Sequence, residues 1–324
     1  MQDDRTLYIG IDLGGTSMRA AVGRSDGTLL ATHKAPTPGA EGLDSVVEGI
    51  VATARRACDQ AGFHLEAAAR WGVAAPGPVD RHDGSIYDPP NLPGWRTVPL
   101  RALLEERTGK PVAVGNDANL AAVAEWRHGA GMGSNDMVYL TVSTGVGGGV
   151  IAGGRLLVGR RGAAGELGHM TVEVDGPPCG CGNRGDLEAL TSGTAIARMA
   201  RDELARDARV DTTLRVYGDR VTAIDVVAAA RSGDALATAI MVRAATALGA
   251  GVVNIVNIFN PEVVVIGGGV AQAGALLFDP VRAAVATHAM RLPAMDVRVE
   301  PAHFGDNAGL IGAVSLAAGA LEMI

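Results

Sequence analysis

Tyr8-Ile-Gly-Ile-Asp-Leu-Gly-Gly-Thr-Ser17 and Tyr139-Leu-Thr-Val-Ser-Thr-Gly-Val-Gly-Gly-Gly149 read as one pattern used twice: an apolar strand, a glycine turn and a second strand. Glycine lets the backbone N–H groups of such a turn face outward with no Cβ in the way, which forms a concavity suited to phosphate oxygens. Two turns of this kind are suited to grip a nucleotide triphosphate. A dinucleotide-binding or P-loop glycine run opens a helix. Here a strand follows both times, which separates the chain from both of those nucleotide binders.

A length of 324 residues points to two domains at about 150 residues each, and the repeat independently suggests two halves. Apolar residues make up 48% of the chain, enough for a large core of small side chains between helices and sheet, and disorder is excluded. A net charge of −7 without a lysine or arginine run argues against a nucleic-acid partner, whose phosphates need a clustered basic face. Three cysteines cannot build a disulfide framework, which favours a reducing compartment. The chain reaches a strand by about Leu7, with Asp3 and Asp4 before it, so no signal peptide is expected and the cytoplasm is the expected location. The apolar stretch from Ala235 to Phe259 is long enough to raise the question of a membrane, but Arg243, Asn254 and Asn257 interrupt it. It reads as a buried core helix, and no membrane partner is expected.

Leu43, Val46, Val47, Ile50, Val51 and Ala54 fall on one helical face within residues 42–61, and Gly62 suits its exit. Cys58 continues that face as a core thiol. A short strand, Trp71 to Ala75, ends at Pro76-Gly-Pro78, where two prolines forbid further ladder pairing. A helix is expected from Leu100 to Arg107. The strand Val112 to Gly115 then runs into Asn116-Asp-Ala-Asn119, whose polar start marks a helix N-terminus. Further on come a strand pair from Met137 to Leu157, a glycine-rich irregular segment to Asp186, and helices near Thr191–Leu204 and Ile224–Arg231. The apolar strand Glu262–Ile266 follows, ending in Gly267-Gly-Gly269, and the last helix runs from Asn307 to about Leu321. Strands and helices alternate in both halves, so the fold class is α/β with a largely buried sheet in each half.

Asp12 lies in an apolar strand just before Gly14-Gly15-Thr16. A carboxylate there either caps its own turn or faces a metal that bridges phosphates. The second hairpin has Ser143 in its place, followed by Thr144 and Gly145, and so offers hydroxyl and amide donors without a carboxylate. Asp117 is the candidate general base, since a helix N-terminus favours the ionised form; the alternative is that Asn116 or Asp117 is only an N-cap. His169, Cys179 and Cys181 stand within a dozen residues on a glycine-rich segment and have the donor types of a zinc loop. Glu166, His169 and Glu188 flank that loop and suit a polyhydroxy ligand.

Taken together, these residues resemble the ROK family of sugar kinases and related repressors over essentially the whole chain. The likeness is carried by Asp12 to Thr16, Pro76 to Asp80, Asn116 to Asn119, Ser143 to Gly149, Glu166 to His169, Cys179 to Glu188 and Gly267 to Gly269. The resemblance implies a two-domain actin-like ATPase fold of ribonuclease-H-like topology, with ATP and sugar in the interdomain cleft. Its N-terminal domain would be residues 1–118, completed by a C-terminal helix at 305–324. Its C-terminal domain would be 119–304, with the zinc loop at 165–188. It further implies that Asp117 takes the proton from a sugar 6-hydroxyl as it attacks the γ-phosphate of ATP, a transfer that asks mainly for positioning and charge stabilisation. Gly77, Asn91, Asn116, Asp117, Glu166, His169 and Glu188 would hold the sugar. Asp12, Gly14, Gly15, Thr16, Thr144, Gly145 and Gly267, Gly268 and Gly269 would hold ATP with Mg²⁺. A homodimer or a dimer of dimers is the expected assembly.

Two departures from the family pattern matter. Its third zinc-loop cysteine is replaced by Asp186, which makes the expected Zn²⁺ set His169, Cys179, Cys181 and Asp186. Ser17 stands where many relatives carry lysine. The expected activity is that of a glucokinase. Kinases for N-acetylglucosamine, N-acetylmannosamine, mannose, fructose and allose share the motifs, and polyphosphate is an alternative donor. A sugar-responsive repressor is the rival of another class; such members carry a helix-turn-helix before the first hairpin, where this chain has about six residues. An actin-like filament or chaperone ATPase would leave the segment from Glu166 to Glu188 without a purpose.

Overall fold

The computed structural model describes residues 6–89, 92, 94–319. In chain order the elements are β1 (Leu7–Leu13), β2 (Ser17–Gly23), β3 (Leu29–Pro36), α1 (Leu43–Ala61), β4 (Ala68–Ala75), β5 (Ile86–Tyr87), β6 (Thr97–Val98), α2 (Leu100–Thr108), β7 (Val112–Asn116) and α3 (Asp117–His128). They continue as β8 (Met137–Val142), β9 (Val146–Ala152), β10 (Arg155–Leu156), α4 (Leu187–Thr191), α5 (Gly193–Arg206), α6 (Ala223–Arg231) and α7 (Ala235–Phe259). Then come β11 (Val263–Gly267), α8 (Ala275–His288), α9 (Arg291–Ala294), β12 (Arg298–Pro301) and α10 (Ala308–Ala317). One five-stranded sheet has the order β3-β2-β1-β4-β7 and the other β10-β9-β8-β11-β12. The two orders correspond strand for strand, so the hairpin repeat seen in the sequence is the centre of a repeated sheet. In the first sheet β2 pairs antiparallel with β1 and β3, while β1–β4 and β4–β7 are parallel.

By packing, the chain divides into two compact units. The first comprises the described residues up to Asn135, with Gly149–Gly165 and those from Phe304 on; the second comprises Asp136–Gly148 and Glu166–His303. The division differs from a boundary at residue 118, because α3 packs whole in the first unit against α10. Leu120 and Ala313 share a buried cluster, and a Cβ on Gly312 would lie 1.9 Å from the Leu120 carbonyl oxygen.

In the first unit the period of two along β1 and β2 assigns the faces. Ile9, Ile11, Leu13, Met18, Ala20 and Val22 join Val46, Ile50, Leu100 and Leu104 in the core under α1 and α2. The opposite face meets α10, where Tyr8 packs with Val314 and Ala317. The second unit has β11 buried along its whole length, as its unbroken apolar run requires. Its helix α7 has the length and composition of a membrane span, yet Ile240, Met241, Leu248, Val252, Ile255 and Val256 are buried inside the unit. Most observed elements match the expected ones to within a few residues, while β3, β5, β6, α4, α8, α9 and β12 have no counterpart in the sequence reading. Residues beyond 319, to which the last helix was expected to extend, lie outside the described residues.

Candidate functional site

The first hairpin is closed by the Gly14 amide donating to the Ser17 carbonyl at 3.0 Å and braced by the Thr37 hydroxyl donating to the Gly14 carbonyl at 2.7 Å. Gly14 is required sterically, since a Cβ there would lie 2.7 Å from the Ser17 oxygen. Gly15 is half-buried and Thr16 exposed at the tip. Asp12, directly opposite Arg19 in the ladder, is ion-paired with it, so it does not cap its own turn. It lies against the first turn of α10, where the absence of a side chain at Gly309 leaves room for the carboxyl. Magnesium keeps several waters and needs only one or two carboxylates beside phosphate, so the hard-oxygen donor of Asp12 fits the ion once its pairing with Arg19 is released.

At the end of β7, Asn116 is the N-cap of α3. Its side-chain oxygen accepts from the Asn119 amide at 3.0 Å, and its side-chain nitrogen donates to the Gly77 carbonyl at 3.1 Å. Capping therefore falls to Asn116, and Asp117 is the first residue of the helix, half-buried, with one carboxylate oxygen accepting from the Ala118 amide at 2.8 Å. Gly77 has φ of +82°, a conformation that favours glycine in the rigid loop between the two prolines. Gly77, Asn116 and Asp117 are thus brought together within the first unit. Asn91 lies outside the described residues.

In the second unit the Ser143–Gly145 turn rests on the N-terminus of α5. The Gly193 amide donates to the Ser143 carbonyl at 2.7 Å, and the Thr194 hydroxyl donates to the Thr144 carbonyl at 2.7 Å. Glu188, in the first turn of α4, accepts from the Val146 amide at 2.8 Å, and a Cβ on Gly145 would collide with that same carboxylate oxygen at 2.5 Å. Its other oxygen lies 3.8 Å from the Cys179 sulfur. Glu188 therefore joins the second glycine hairpin to the cysteine loop. Gly267 ends β11 and Gly268 follows it; a Cβ on Gly268 would lie 2.3 Å from the Val142 oxygen at the end of β8, whereas Gly269 faces open space.

His169, Cys179, Cys181 and Asp186 place one ligand atom each within 4.8 Å of one another. The Cys179 sulfur is 3.6 Å and the Asp186 carboxylate 3.5 Å from His169 Nδ1, and the Cys181 thiol donates to Asp186 at 3.1 Å. Two sulfurs, a nitrogen and an oxygen at these separations fit a tetrahedral zinc. Asp186 is fully buried and occupies the N-cap position of α4, yet its carboxylate turns into this cluster, where Asn183 and Thr171 also donate to it. Burial pushes the Cys179 thiol up to about 12, opposed by a backbone hydrogen bond from Cys181 and reinforced by the Cys181 and Asp186 side chains. Asp186 moves the other way: burial opposes ionisation, but hydrogen bonds from Cys181 and Cys179 and the adjacent His169 outweigh it and lower its value. Glu166 is exposed and opens the turn that carries His169, whose amide donates to the Glu166 carbonyl at 3.1 Å. Sequence reasoning missed Arg19, Asn183 and Thr171. Arg19 was open to detection, because it follows Ser17 by two on a strand and so shares its face.

A family model described as the ROK family matches residues 8–320. The chain is 39% identical over 309 residues to a glucokinase of Thermotoga maritima, covering 95% of this chain and 96% of that protein. It is 36% identical over 316 residues to an N-acetylmannosamine kinase of Escherichia coli, covering 96% and 98%. The crystal structure of a ROK family glucokinase from Streptomyces griseus in complex with glucose and AMPPNP has a TM-score of 0.82 to this chain at 36% identity, covering 97% of this chain and 99% of that one. The fold is that of these sugar kinases, the actin-like ATPase fold.

Proposed function

The chain belongs to the ROK family, and we propose that it transfers the γ-phosphoryl group of ATP to the 6-hydroxyl of a hexose, with glucose as the first substrate. The observation that carries this reading is the division of labour at the start of α3. Asn116 caps the helix end, and the Asp117 carboxylate beside it, in the first turn of α3 where the helix dipole favours an anion, is the proposed acceptor of the hydroxyl proton. Gly77, Asn91, Asn116, Glu166, His169 and Glu188 are the proposed sugar contacts. Gly14, Gly15, Thr16, Thr144, Gly145 and Gly267, Gly268 and Gly269 are the proposed nucleotide contacts, and Asp12 is the residue that would hold Mg²⁺. When bound, the ion would supply neutralisation of charge on the phosphate oxygens.

Zinc on His169, Cys179, Cys181 and Asp186 is part of the same proposal. By anchoring one ring nitrogen of His169, it would orient the other toward sugar. Elemental analysis of purified, unchelated protein should find close to one zinc per chain, and less than about half would count against the site. A reducing, cytoplasmic location is supported by three free cysteines, and a homodimer or dimer of dimers is proposed from the family alone.

Release of ADP measured over a panel of hexoses and amino sugars tests the reaction and ranks glucose against N-acetylmannosamine, the substrate that the Escherichia coli relative's name indicates. Asp117→Asn should still bind sugar while losing turnover by about 10²- to 10⁴-fold. Retained turnover would remove Asp117 from the role of base.

A further inference from the structure

One oxygen of the Glu188 carboxylate, a proposed sugar contact, is bound to the glycine turn of the second unit, a proposed phosphate contact. We infer that Glu188 is a positioning residue for that turn and couples hexose binding to nucleotide binding, an inference that rests on the kinase reading above. Neighbouring elements hold three backbone groups of the turn: the Gly193 amide donates to the Ser143 carbonyl at 2.7 Å, the Thr194 hydroxyl to the Thr144 carbonyl at 2.7 Å, and the Val146 amide to Glu188 at 2.8 Å. The first two clamps come from α5 and the third from α4. Within the turn the Ser143 amide donates to the Gly145 carbonyl at 2.8 Å. The amides of Thr144 and Gly145 donate to no group among the described residues, and Thr144 is exposed and Gly145 half-buried. Unpaired amides on a clamped turn suit phosphate oxygens.

The steric fit repeats the link. Gly145 is outside the left-handed region, and a Cβ there would meet only Glu188, with Oε2 at 2.5 Å and Cδ at 3.3 Å. The missing side chain at 145 therefore makes room for this carboxylate. Val146 is buried, so moving Oε2 away would leave its amide an orphaned donor. The second oxygen, Oε1, has the Cys179 thiol at 3.8 Å, a weak contact that a sugar hydroxyl can outcompete. A hydroxyl on Oε1 fixes the carboxylate plane, and with it the oxygen beneath Val146 and Gly145. Hexose thus orders the turn before nucleotide arrives, and nucleotide on the turn holds Glu188 for hexose, with equal coupling in both directions. The two clamps from α5 carry no such link, because Gly193 and Thr194 are not among the proposed sugar contacts.

Calorimetry on the full chain, with glucose and with AMPPNP and Mg²⁺, tests this. In unaltered protein glucose should tighten AMPPNP by about fivefold or more, and AMPPNP should tighten glucose equally. Gly145→Ala, at a position outside the proposed sugar contacts, should weaken glucose by about tenfold or more with no nucleotide present. Without glucose, Glu188→Leu should weaken AMPPNP by about tenfold, while Glu188→Gln, whose amide oxygen can still accept from Val146, stays within about threefold. Thr194→Val should weaken AMPPNP yet keep its coupling to glucose. Absence of coupling in unaltered protein, unchanged glucose affinity in Gly145→Ala, or unchanged AMPPNP affinity in Glu188→Leu overturns the inference. Should these variants fail to fold, unaltered protein decides: saturating glucose alone should slow amide exchange at Val146, and unchanged exchange there also overturns it. If unaltered protein releases ADP with glucose while Gly145→Ala binds glucose normally, only this inference fails. If unaltered protein neither binds glucose nor releases ADP, the kinase reading fails with it.

Discussion

His128 closes α3 at the end opposite Asp117, with Nε2 3.2 Å from the Ser315 hydroxyl and its ring packed over Gly27. Burial is the main cause that lowers its value below 6.5; Arg127 lowers it further and Asp26 opposes. The unfolded chain therefore takes up a proton at a pH where the folded state still resists it. Stability is full above the ordinary histidine range and declines as pH falls through it. Melting temperatures recorded from pH 7.5 to 5.5 should fall less steeply for His128→Gln than for the unaltered protein, and parallel curves would refute the assignment. At this scale the sequence placed Asp12, Asp117 and the cysteine loop, because a carboxylate beside glycines or at a strand-to-helix junction is a local signal. It did not place Arg19 against Asp12 or Glu188 against the Val146 amide, since both contacts depend on cross-strand register or on segments far apart in sequence.

Helix α10 illustrates how an element is fitted by what it lacks. A Cβ on Gly72 of β4 would lie 1.9 Å from the Ala313 carbonyl oxygen, and one on Gly10 of β1 would lie 2.7 Å from that of Leu310. At Gly72 backbone meets backbone, with no flexible side chain to yield. Gly72→Ala should cost about 3 kcal/mol or more, or abolish soluble expression, measured by urea denaturation; a loss below about 1 kcal/mol would show that α10 can move aside. The elements themselves were legible wherever periodicity ran unbroken, as in α1 and α7. Helix α8 escaped because Pro280 stands inside it, and β12 because Arg298-Val-Glu-Pro301 is short, charged and closed by a proline that only an edge strand tolerates.

For the whole molecule, the repeated sheet order was foreshadowed by the repeated hairpin and the return of the last helix to the first unit was expected, but the crossing at Gly149–Gly165 and the place of α3 were not, because the chain passes between the units several times. A cut after residue 118 follows sequence order, whereas packing follows the close approach of α3 and α10. The cysteine loop belongs to the second unit, so removal of its proposed zinc should be felt locally. Chelator treatment should speed amide exchange across residues 166–188 and, through Glu188, at Val146, while the β1–β4 ladder keeps its protection. Uniform loosening of both units, or none, would contradict that picture.

The position of α10 also bears on biosynthesis. The strands it covers, β1 and β4, leave the ribosome early, but their covering helix is made only after the whole second unit. Until then the α10 face of that sheet, with Tyr8, Gly10 and Gly72, lacks its covering helix. The second unit can fold while the chain is still tethered. The first must wait, and its uncovered sheet is the surface on which a holding chaperone would act and where stalled translation would invite aggregation.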